Sequence, residues 1–129
     1  MGFTKRGETA RDRKGERKGV CMPHYMISGS YTAEGAKALL AEGGTPRLEQ
    51  AQGLIESLGG TLEAMYFTFG SNDIVGFCEL PSDAAAAAAS LSVSSSGVIN
   101  VHVTAMLTGQ DLDDAAGIAG QAQYRPPGQ

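Results

Sequence analysis

Residues 61–80 read TLEAMYFTFGSNDIVGFCEL and form the centre of the predicted fold. Two apolar runs of strand length flank the turn-forming residues 70–73, Gly-Ser-Asn-Asp. Turn residues between two such runs are typical of a β-hairpin. Neither run has polar residues at every second position, which indicates that both faces of the sheet are at least partly covered.

Upstream of the hairpin, the pattern predicts one strand and two helices. Residues 24–31 predict the first strand, and residues 32–42 predict a helix with Thr32 as its N-cap. Thr45 and Pro46 are predicted to begin the second helix, as N-cap and first helical residue. The face of this helix that we expect to be buried carries apolar residues at helical spacing: Leu48, Ala51, Ile55 and Leu58, with Leu54 beside them.

Downstream of the hairpin, the pattern predicts one helix and one strand. Ser82 is a suitable N-cap, and the alanine run 84–89 favours a helix that lies close on the sheet. Residues 98–108 alternate in the manner of a strand, with His102 on the side away from the main core. Residues 109–129 are acidic and then rich in Gly, Pro and Gln, which predicts a flexible tail with at most a short helix.

The order strand, helix, strand, strand, helix, strand predicts an α+β fold. It is typical of a ferredoxin-like βαββαβ sandwich with a four-stranded antiparallel sheet and the helices on one face. The other face then lies bare and carries side chains such as Met65 or Tyr66. Because an exposed apolar face usually marks a partner or a ligand, we expect a homodimer through the open sheet face and a small apolar ligand.

Charge divides the chain into two parts. Residues 1–21 hold seven bases and three acids, a net charge of +4, whereas residues 22–129 hold three bases and eleven acids, a net charge of −8. This predicts a disordered basic leader over residues 1–21 and a folded domain over residues 22–108. The leader is either a basic arm that binds nucleic acid or a segment upstream of a true start at Met22. The acidic domain itself is not expected to bind nucleic acid.

The composition predicts one small domain with no membrane partner. At 129 residues the chain suits a single core. It has no run of about 20 apolar residues and no secretory signal pattern, so the expected location is the cytoplasm. Cys21 and Cys78 form no CxxC motif, and Cys78 is expected to be a buried small hydrophobe. No cofactor is predicted and no metal site, since His24 and His102 have no obvious third ligand.

Three residues are candidates for catalysis. His102 suits an acid or base near neutral pH, or else a hydrogen-bonded histidine in a dimer interface. Asp73 suits a base, or else a carboxylate that binds backbone N–H groups at its turn. Tyr66 is the third catalytic candidate. The aromatic residues form either a ligand pocket or ordinary packing: Tyr31, Tyr66, Phe67, Phe69 and Phe77, with Tyr31, Phe67 and Phe77 as the ligand-binding candidates.

Several short segments together point to a family: YTAEG at 31–35, TPRL at 45–48, LGG at 58–60 and FTFGSNDIV at 67–75. In this combination, residues 22–108 resemble the GYD-domain family of small bacterial and archaeal proteins. The family's Gly-x-Tyr-Asp turn is present as Gly70 and Asp73, with Asn72 in place of the tyrosine.

The resemblance implies a ferredoxin-like fold related to the dimeric α/β barrels. Two functions stay open for such a protein. One is a small homodimeric ligand-binding or regulatory module. The other is a cofactor-independent enzyme of the monooxygenase or isomerase type that acts on an apolar small molecule, with His102, Asp73 and Tyr66 as its candidate residues.

Overall fold

A computed structural model describes residues 9–14, 16–18 and 22–128. The helices and strands of the domain follow one another as β1 (His24–Tyr31), α1 (Ala33–Glu42), α2 (Gly44–Ser57), β2 (Thr61–Phe67), β3 (Ile74–Glu79), α3 (Asp83–Ser94), β4 (Ile99–Met106) and α4 (Gly109–Ala119). The strands form one sheet in the order β2-β3-β1-β4, and all three neighbouring pairs are antiparallel. The predicted ferredoxin-like α+β fold is therefore confirmed.

Only part of the basic leader belongs to the described residues. Its backbone forms two short strands, Thr9–Lys14 and Glu16–Lys18, which pair with each other in a sheet separate from the four-stranded one. The rest of residues 1–21, including Cys21, lies outside the described residues. The predictions of a disordered leader and of a start at Met22 stay predictions.

The hairpin forms where the sequence predicts it. β2 and β3 pair directly, with Phe67 opposite Ile74. The Asp73 carboxylate accepts a hydrogen bond from the Tyr31 backbone N–H at 2.8 Å, and the Asp73 N–H donates to the Gly29 carbonyl at 2.8 Å. Asp73 thus ties the turn to the end of β1, a contact between residues far apart in the sequence and not the bond within its own turn that the sequence suggests.

Local hydrogen bonds explain where the helices begin. Thr32 and Ser82 cap α1 and α3, as predicted, because each hydroxyl accepts from the backbone N–H three residues further on. The predicted cap Thr45 is wrong, since α2 already begins at the glycine before it. Gly43 ends α1 with its N–H on the Leu39 carbonyl, and its φ of 93° turns the chain straight into α2. Thr45 therefore lies inside the first turn of α2 and is not its N-cap.

The core lies between the sheet and the helices α2 and α3. Its buried residues come from both layers: Tyr25, Ile55, Cys78, Leu80, Ala86 and Ala89. Ala86 and Ala89 show the close packing that the alanine run predicts. Cys78 is fully buried, also as predicted, and burial raises the pKa of its thiol. The Tyr25 hydroxyl donates to the Asp83 carboxylate at 2.5 Å, which raises the pKa of Tyr25 to about 12 and joins β1 to the start of α3.

The last helix stands apart from this core. α4 runs over Gly109–Ala119, somewhat longer than the short helix expected, and all its side chains are exposed. A capping box between Thr108 and Asp111 begins it. Among the described residues, no helix is long and apolar enough to cross a membrane.

Candidate functional site

A cleft opens between α2 and α3 over the middle of the sheet. α2 packs along β2 and α3 packs along β4, so the two helices cover the outer strands. The central strands β3 and β1 are left as the floor between them. The cleft has a volume of about 370 Å³, which lies within the range of roughly 300–1,000 Å³ typical of small-molecule sites.

Small residues keep this cleft open. Gly76 forms part of the floor, and Ala51 and Ala89 stand on the helical walls. Larger side chains at these places would fill the space. Most of the remaining lining is aliphatic and comes from both helices and all four strands; examples are Ile27, Leu54, Met65, Val93, Val101 and Val103. The site is therefore an apolar cleft with a floor of β-sheet.

Polar groups lie among these apolar walls. Arg47 comes from α2, Tyr31 from the end of β1, and Ser90 and Ser96 from α3 and the turn after it. Burial raises the pKa of Tyr31, while the positive charge of Arg47 acts in the opposite direction. The Arg47 guanidinium also pairs with the Glu42 carboxylate at 3.2 Å. The charge that Arg47 brings to the cleft is thus already partly balanced.

The aromatic ligand candidates separate in the structure. Tyr31 lines the cleft, whereas Phe67 lies against Gly44 at the start of α2 and keeps 38% of its surface exposed. Phe77 points to the opposite face of the sheet, since its neighbour Cys78 is in the core. Phe69 is 99% exposed in the hairpin turn. Of the aromatic side chains that the sequence suggested, Tyr31 alone belongs to the described lining of the cleft.

The catalytic candidates do not converge either. Tyr66 and His102 lie in one row across the open face, in which Tyr66 faces Val75, Val75 faces Ser28, and Ser28 faces His102. Three strand spacings separate the two ends of this row, about 14 Å. Asp73 is held at its turn by a backbone N–H. These three residues therefore do not lie together in one site. The enzyme hypothesis stays a prediction.

A second group of polar residues does converge, at one end of the open face. The Nδ1 atom of His24 lies 3.4 Å from a carboxylate oxygen of Glu63, and its Nε2 atom lies 3.6 Å from one of Glu79. The pKa of Glu79 is raised above its ordinary value. Burial of the carboxyl group is the main cause; His24 opposes the shift, and the nearby Glu63 carboxylate adds to it. Each of the three side chains is about a third exposed.

Sequence reasoning missed this group because of a β-bulge. Strict alternation places Glu63 on the same face as Met65 and Phe67. The pairing of β2 with β3 shifts by one residue between Leu62 and Ala64, and such a bulge re-aims a side chain. Glu63 therefore reaches the open face, whereas Met65 lines the cleft on the other side. Of the two alternatives for the bare face, Met65 or Tyr66, it is Tyr66 that lies there.

The antiparallel sheet, with helices on one face and a cleft between them, defines the class as a ferredoxin-like α+β protein. The family model of the GYD domain matches residues 25–116, from β1 into α4. Since this match spans most of the 129 residues, the chain belongs to the GYD-domain family. No curated protein and no solved structure matches the chain.

Proposed function

We propose that this protein is a small ligand-binding or regulatory module, which works as a homodimer and holds an apolar small molecule in the cleft between α2 and α3. The observation that carries the proposal is the cleft of about 370 Å³ with aliphatic walls. An open cleft with such walls leaves apolar side chains in contact with water, which is unfavourable. A space of this size, with Gly76, Ala51 and Ala89 at its boundary, suits a bound molecule.

The lining favours a ligand with an uncharged aliphatic or aromatic body. Such a body gains about 25 cal/mol for each Å² of apolar surface that it buries. Gln50 and Ser90 can bind one polar group on the ligand. A strongly anionic ligand is disfavoured, because the cationic Arg47 already pairs with Glu42.

Binding of the uncharged fluorescent probe N-phenyl-1-naphthylamine tests the cleft. We expect one probe per chain and a rise in fluorescence. Val93→Phe should weaken binding at least about tenfold, because Val93 lines the cleft and a larger ring occupies the ligand's space. Leu91→Phe is the matched control, since Leu91 is on the same helix but 69% exposed. It should bind the probe as the wild type does.

Ala51→Phe blocks the cleft from the opposite wall, so the test does not depend on one variant. Circular dichroism checks that each variant folds. Wild-type protein that does not bind the probe, or equal binding by all four proteins, contradicts the proposal. Native mass spectrometry of protein purified from its own host then gives the mass of the natural ligand.

For the dimer, we propose that a second copy covers the open sheet face. Tyr66 is 63% exposed there, and the two central rows of this face contain no acid, lysine or arginine: Tyr66, Val75, Ser28 and His102, followed by Ala64, Phe77, Met26 and Thr104. Residues 22–129 carry a net charge of −8. Two acidic copies repel one another least where they meet through an uncharged patch, and this patch supplies one.

A further inference from the structure

Three side chains from three strands meet at one end of the open sheet face. His24 on β1 and Glu79 on β3 are paired directly in register. Glu63 reaches them from β2 at the bulge. One nitrogen of His24 and one oxygen from each carboxylate all lie within 4.8 Å of one another. The strands thus hold one imidazole with a carboxylate beside each of its two nitrogens.

The spacing of these groups suits a metal ion. In a tetrahedral zinc site, bonds of about 2.0–2.2 Å to nitrogen and oxygen place neighbouring ligand atoms roughly 3.4 Å apart. One nitrogen of His24 and one oxygen of each glutamate lie within 4.8 Å of one another, so modest side-chain rotations bring them to this spacing. Because an ion takes only one nitrogen of the ring, one glutamate has to turn towards the other, which partly exposed side chains can do.

Charge and ligand type also favour a divalent transition metal. Two ionised carboxylates carry two negative charges, and a divalent ion balances both of them. An imidazole ligand suits zinc and similar ions rather than calcium or magnesium, which prefer oxygen ligands. We propose that His24, Glu63 and Glu79 bind a divalent ion of the zinc type, with the remaining position open to water.

Calorimetric titration of the full chain with Zn²⁺, after removal of metal with a chelator, tests this site. We expect one ion per chain. His24→Gln, Glu63→Gln and Glu79→Gln should each weaken binding at least about tenfold, since loss of even an indirect partner of a metal commonly has that effect. Glu49→Gln is the matched control, because it removes an exposed carboxylate of α2, on the helical side of the sheet. It should bind Zn²⁺ as the wild type does.

A parallel titration of Cys21→Ser removes an interfering ligand, since a thiol three residues before His24 can itself bind zinc. Binding that persists in Cys21→Ser and weakens in the three site variants supports the proposal. Wild-type protein that binds no zinc, or site variants that bind zinc as tightly as Glu49→Gln does, would mean that the three residues form only an ion-pair cluster, and either result overturns the proposal. The cleft plays no part in these outcomes, because it lies on the other face of the sheet.

Discussion

Asp73 is a single residue whose role the structure makes measurable. Its carboxylate pairs with the partly buried N–H of Tyr31. Asp73→Ala leaves that donor without its partner, and we expect it to lower the free energy of unfolding by about 1–3 kcal/mol, measured by urea denaturation. Ser30→Ala removes an exposed hydrogen bond to Ser71 at the same turn and should change it by less than about 0.5 kcal/mol. Similar losses in both variants would contradict this role of Asp73.

At the same scale, the sequence predicts the role of a residue when its hydrogen-bond partners are close to it in the chain. Thr32 and Ser82 act on N–H groups three residues away, so the pattern alone identifies them as caps. The direction of the Glu63 side chain depends instead on a one-residue shift in the pairing of two strands, and no residue near Glu63 in the sequence indicates that shift. The group that Glu63 forms with His24 could therefore not be predicted.

At the scale of elements, α1 is held close to the chain before β4. A Cβ atom at Gly35 would lie only 2.1 Å from the Val98 carbonyl oxygen, the same oxygen that accepts the Thr32 backbone N–H. Gly35→Ala should therefore lower the free energy of unfolding by about 1–3 kcal/mol, as measured by urea denaturation.

Gly53→Ala is the matched control for this helix contact. Gly53 lies in α2, and a Cβ atom there meets nothing within 4 Å. Because alanine favours a helix over glycine by about 1 kcal/mol, this variant should be more stable than the wild type. Two variants that shift stability in the same direction would contradict the close approach of α1 to Val98.

The order of the elements could be predicted, whereas the space between them could not. Each strand and helix carries its own hydrophobic period, and right-handed crossovers then determine the sheet order. The start of α2 depends on the single dihedral angle of Gly43. The cleft depends on how far apart α2 and α3 stand over the sheet, a distance that neither helix encodes by itself. The sequence suggests Tyr31 as a ligand residue but singles out neither Val93 nor Ala51.

At the scale of the whole molecule, the two faces of the sheet have separate tasks in our proposals. The helical face holds the apolar cleft, while the open face carries the uncharged rows and the His24 group. A substitution that disturbs one face should leave the other intact. Dimerisation through the open face can therefore be tested without changing ligand binding in the cleft.

Sedimentation velocity measures the dimer directly. Tyr66→Glu and Phe77→Glu place a carboxylate on the open face, and twofold symmetry puts it into the interface twice. We expect the wild type to sediment as a dimer and both variants as monomers, because two like charges then meet where water is excluded. Leu40→Glu changes an apolar residue on α1 that is 86% exposed, and it should stay dimeric. A monomeric wild type, or a Tyr66→Glu chain that remains a dimer, contradicts pairing through this face, yet leaves the cleft proposal intact because the cleft lies on the helical side.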